Sequence, residues 1–219
     1  MSIDIDRIKR KLLIKYPTFG SVIANLEFQE SIDIATSETD GKVLLYNPKF
    51  LGDLSEKQQI FIFAHEVCHV AFEHIFRSEG KDKRLWKTAT DSVINALLKQ
   101  DGLPMVEGVV NIPEAINYDA DEMYNKLLEK EKNKQEQQSG QGNQGQQNSQ
   151  DNQEQQNLQG NQQEQNSQSQ QEETTGIGHD THSLWDKAIE DRKKEQQKEA
   201  EKKEQEQRQT KKRAAGDDD

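Results

Sequence analysis

Residues 135–173 carry a single aliphatic side chain, Leu158, among glutamine, asparagine, serine, glycine and glutamate. A tract of this kind cannot bury enough apolar surface to offset the entropy of ordering its backbone. It confines compact structure to what lies on either side. The composition predicts a folded domain over residues 1–130. A disordered Gln/Asn/Ser/Gly-rich linker over 131–175 and an anchor segment with a charged helical tail over 176–219 follow. Whole-chain averages agree. Hydrophobic residues make up 31% and mean hydropathy is −1.10, too polar for 219 residues folded throughout.

Within the folded part, residues 3–16 place Ile3, Ile5, Ile8, Leu12 and Leu13 near helical spacing, which predicts an amphipathic helix ending before Pro17. Short alternating runs predict strands at 26–28, 32–35 and 42–46, with 36–41 as a turn. Ser55 and Gln58 form a capping-box pattern that opens a long helix, predicted to end near Gly80. A second apolar helix is expected over 86–98, and Asp119 with Glu122 marks the start of a third. The predicted fold class is α+β: a central buried helix, a small β-sheet, and a long disordered or helical polar tail.

The central helix contains residues 60–76, IFIFAHEVCHVAFEHIF, apolar on nearly every side. Inside it lies the motif H-E-x-x-H. His65 and His69 are four apart, about 40° round a helix axis, and so point the same way. Two neutral imidazoles on one face can grip zinc, and Glu66 can act as base toward water that the metal activates. Burying two imidazoles and a carboxylate without partners is costly, which favours a cation over an ordinary pair of core histidines.

A catalytic zinc takes three protein ligands and one open position. Asp91 is the preferred third ligand, because a carboxylate on a second apolar helix needs a partner. Its bland reading is a helix cap or a salt bridge to lysine. His74 is the alternative, but on an unbroken helix it would lie about 180° from His65. Asn95, one turn beyond Asp91, suits either a hydrogen bond to a ligand or a polar surface position. Cys68 reads as a small core residue. His179 and His182 flank the segment ending in Leu184 and Trp185, which looks like an anchor returning to the folded domain.

A net charge of −11 argues against a nucleic-acid surface and against docking on anionic lipid. One cysteine allows no internal disulfide, the N-terminus has no long apolar h-region, and no apolar stretch is long enough to span a bilayer. These features predict a cytoplasmic protein.

The runs DGKVLLYNPKFLGDLSEKQQIFIFAHEVCHVAFEH, LWKTATDSVINALL and DADEMYNKLL together resemble the bacterial and phage "putative metallopeptidase" domain, which commonly precedes a von Willebrand A-like domain. The match covers residues 41–128. The combination of H-E-x-x-H with W-x-x-A-x-D-x-x-I-N carries it, and HSLW at 182–185 resembles a later family block. The resemblance implies a zincin-like fold and a Zn²⁺ site at His65, His69 and Asp91, with Glu66 as base and a peptide or protein substrate. The von Willebrand A-like half does not follow Arg213, which marks a truncated or short member. The rival expectation is a non-catalytic metal-binding scaffold whose tail binds a protein partner. A third is a metal-dependent hydrolase of a non-peptide substrate.

Overall fold

The computed structural model describes residues 3–140 and 183–214. Helices α1 (Ile5–Lys15) and α2 (Gly20–Asn25) flank a 3-10 turn at Pro17–Phe19. Strands β1 (Glu27–Glu30), β2 (Ser37–Thr39) and β3 (Val43–Tyr46) follow. Next come α3 (Pro48–Gly52), α4 (Glu56–Ala71), α5 (His74–Arg77) and α6 (Lys83–Gln100). A 3-10 turn at Pro113–Asn117 leads to α7 (Ala120–Gly140), and α8 (Ser183–Ala214) completes the described residues. The class is α+β, mostly helical with one three-stranded sheet. No described helix is long and apolar enough to cross a membrane.

α4 is the axis of the fold. Ser55 and Gln58 form the capping box that the sequence predicts, satisfying backbone donors at its first turn. Residues 60–69 are all buried. Ile8 and Leu12 of α1, Leu44 and Tyr46 of β3, and Ile94 and Leu98 of α6 share one apolar cluster with Phe61 and Phe63. α6 starts at Asp82, whose carboxylate accepts from the Leu85 amide, and packs between α4 and α7. At α7, Asp119 and Glu122 bond reciprocally across the first turn, as their spacing predicts.

The sheet order is β1–β3–β2, with β1 parallel and β2 antiparallel to β3. β2 is thus an edge strand, and it lies against α4. Here the structure corrects the sequence reading. Residues 32–35 are not a strand. The strand is Ser37–Thr39, inside the segment predicted as a turn, and the reversal is made by Asp40, Gly41 and Lys42. The Asp40 carboxylate accepts from the Lys42 and Val43 amides, and Gly41 takes φ +91° with Ile75 3.6 Å from where a Cβ would stand. All three residues of β2 are buried although all are polar, so the alternation of apolar residues that marks a half-buried strand is missing.

A second correction concerns α4, which ends at Ala71 rather than near Gly80. Glu73 adopts the left-handed conformation, φ 55° and ψ 28°, and α5 begins in a new direction at His74. A third is that α7 continues to Gly140, past the point where composition predicts order to end. The remainder of the predicted linker, with His179 and His182, lies outside the described residues. α8 is a long, largely exposed helix, as its charge pattern predicts, with the pair Glu190–Lys194 at 2.7 Å.

Candidate metal centre

One helical turn sets His65 above His69 on α4, and α6 brings Asp91 and Asn95, also one turn apart, against them. His65 Nε2 lies 2.9 Å from His69 Nε2, and Asp91 Oδ1 lies 3.6 Å from the first and 3.2 Å from the second. The three side chains offer ligand atoms within 4.8 Å of one another and can hold a metal ion. His65, His69 and Asp91 are 8%, 3% and 1% exposed.

Hydrogen bonding fixes the chemistry of His65. Asn95 donates through Nδ2 to the Val110 carbonyl at 2.9 Å, so its Oδ1 faces His65 Nδ1 as an acceptor at 2.9 Å. His65 Nδ1 therefore carries the hydrogen, and a neutral His65 turns a bare lone pair at Nε2 toward His69 and Asp91. Asp91 Oδ1 makes no hydrogen bond of good geometry despite the nearby rings, whereas Oδ2 accepts from Lys87 Nζ at 3.1 Å. Three buried ligand atoms thus converge, and a cation between them would satisfy all three at once.

The electrostatics agree. Burial alone would push Asp91 up, but the Lys87 ammonium and the two imidazoles hold its carboxyl well below the usual range. Burial would also lower His65, but the Asp91 carboxylate outweighs it and raises that ring. His69 goes the other way, lowered by burial and then by His65, because two rings this close cannot both be charged.

Glu66 is 8% exposed, and its Oε1 accepts from the Ser37 hydroxyl on β2 at 2.8 Å. Sequence reasoning missed Ser37, because the polar strand gave no hydrophobic signal. Asn95 is not a surface position, since it is 2% exposed and bonds His65. Asp91 has both a lysine partner and the two histidines. Cys68 is a buried core thiol, pushed up to about 12 by burial. His74 is buried and does not lie across the helix from the pair, because the left-handed turn at Glu73 folds it back. Its Nδ1 lies 3.4 Å from His69 Nδ1.

α8 closes the site from outside. Trp185 sets its ring edge-on to His69, with centroids 5.3 Å apart. Arg192 lies over the Phe76 ring at 4.1 Å. Lys83–Asp186, Lys193–Glu79 and Lys42–Glu195 tie the helix down.

The fold is thus an α+β domain with a buried His/His/Asp group that can hold a metal ion, beside a glutamate. The chain belongs to the family described as "Putative metallopeptidase domain", whose model matches residues 2–218. An "Uncharacterized protein" of Thermotoga maritima is 28% identical over 88 residues, which cover 39% of this chain and 22% of that protein. The chain thus matches less than a quarter of that relative's length. No solved structure matches the chain.

Proposed function

We propose that this chain is a zinc-dependent metallopeptidase of zincin-like design, with His65, His69 and Asp91 as ligands and Glu66 as catalytic base. The observation that carries this reading is the convergence of His65 Nε2, His69 Nε2 and Asp91 Oδ1 next to a glutamate held by Ser37. A set of two nitrogens and one oxygen suits zinc and leaves a fourth position for substrate or water. Zinc bound there supplies Lewis acidity toward a peptide carbonyl. Glu66, oriented by Ser37 through one oxygen, keeps the other to take a proton from the attacking water and return it to the leaving amine. The edge strand β2 beside α4 supports an extended peptide as substrate.

The test is metal content and peptide hydrolysis in the wild type, His65→Ala, Asp91→Ala and Glu66→Gln. Equimolar zinc is expected in the wild type and Glu66→Gln and absent from the two ligand variants. Glu66→Gln should lower cleavage by roughly 10²–10⁴-fold. Hydrolysis that survives it overturns the catalytic assignment.

The burial of the whole group favours one second reading, a metal-bound scaffold without catalysis. In that case Glu66→Gln leaves function intact, and disrupting α8 abolishes it.

A further inference from the structure

A metal at His65 and His69 needs lone pairs on both Nε2 atoms. Asn95 secures this for His65 by accepting from its Nδ1. Among the described residues, no carboxamide or carboxylate bonds His69 Nδ1. The group that stands there is His74, Nδ1 to Nδ1 at 3.4 Å. Building on the metal centre proposed above, we propose that His74 is a positioning residue for His69. With metal bound, its Nδ1 accepts the hydrogen from His69 Nδ1 and so turns the His69 Nε2 lone pair toward His65 and Asp91.

Three features prepare His74 for that role. The left-handed turn at Glu73 ends α4 and redirects the chain, so His74 approaches its neighbour from α5 instead of facing away. Trp86 Nε1 donates to the His74 backbone carbonyl at 2.9 Å and fixes the main chain at that point. The His74 ring then packs edge-on against Trp86 and tilted against Phe72, with centroids 5.8 and 5.6 Å away, and the residue is 2% exposed. A ring so enclosed is held in one orientation, with its Nδ1 facing His69 Nδ1.

The geometry also separates this role from that of a third ligand. Nδ1 and Nε2 lie on different edges of an imidazole, and His74 meets the Nδ1 edge of His69, whereas Asp91 and His65 meet the Nε2 edge. His74 therefore supports the centre from behind His69. Partners of this kind around metal-bound histidines are worth about 10–100-fold in metal affinity.

The experiment uses the full chain with His74→Phe, which keeps the ring and removes the acceptor, and His74→Asn, which returns an oxygen near the Nδ1 position. Zinc affinity is measured by competition with a chelating dye, and Co²⁺ spectra report the number of ligands. His74→Phe should weaken zinc by about 10–100-fold with an unchanged Co²⁺ band intensity, and His74→Asn should recover most of the loss. Unchanged affinity in His74→Phe overturns the inference, and so does a Co²⁺ spectrum that loses a ligand. If His74→Phe does not fold, ¹⁵N NMR of the zinc-loaded wild type decides. A hydrogen on His69 Nδ1 bonded to His74 supports the role, and a metal-shifted His74 nitrogen overturns it. A wild type that binds no zinc fails the metal reading itself, which is a different result from zinc bound equally well without His74.

Discussion

Glu38 sits on the edge strand with 9% exposure, its carboxyl pushed up by burial and then by Glu66 and Asp40. The folded protein therefore holds that proton more tightly than the unfolded chain does. Stability from this residue is present at low pH and is lost as pH rises through the raised value. Glu38→Gln should raise the melting temperature at neutral pH and change nothing below the ordinary value of 4.5, which a pair of thermal scans measures. Ser37 next to it gives a second expectation. Ser37→Ala removes the 2.8 Å bond to Glu66 and should lower kcat by roughly tenfold while zinc content stays constant. At this scale the sequence was most legible where spacing carries chemistry. His65, Glu66 and His69 followed from helical period, and Asp91 from the cost of a lone carboxylate on an apolar helix. Ser37 and His74 were not legible, because their roles depend on a strand and a kink that no periodicity announces.

The break after Ala71 shows why. Ideal helix geometry carried through residues 60–76 places His74 on the far side from His65. One left-handed residue changes this, and glutamate, unlike glycine, pays about 1–2 kcal/mol to adopt it. Glu73 is exposed, so its side chain gains little from the position. Glu73→Gly should therefore stabilise the metal-free protein by roughly 1 kcal/mol, read from the midpoint of urea denaturation. A loss of stability would show that the glutamate side chain contributes more than the backbone conformation costs. The strands follow the same logic. β3 was legible because Val43, Leu44, Leu45 and Tyr46 form a short apolar run between a turn signal and Asn47-Pro48. β2 was not, because its side chains serve hydrogen bonds: Ser37 to Glu66 and Thr39 to the Val43 carbonyl.

Across the molecule, the buried centre and its cover differ in how firmly they are held. The domain core is continuous apolar packing around α4. α8 is tied by ion pairs whose side chains are 53–74% exposed, with two cavities of about 240 Å³ between the helix and the domain. Exposed pairs of this kind contribute little and weaken with salt. Raising salt from about 0.1 to about 1 M shortens the Debye length from about 10 to about 3 Å, and should expose Trp185 to acrylamide quenching. Trp86 is fully buried and stays shielded. Unchanged quenching would show that the aromatic contacts alone secure the helix. The charged tail helix was legible from its residue pattern, but its seat over His69 was not, since the contact is made by residues far apart in the chain. That separation also orders events during synthesis. The proposed ligands and their partner Asn95 are complete within the first 95 residues, and Trp185 emerges roughly 90 residues later, about 5–20 s at ribosomal speeds of about 5–20 residues per second. On the proposed metal reading, zinc supplied during synthesis should therefore load faster than zinc supplied to the finished chain, which a comparison of the two loading rates measures.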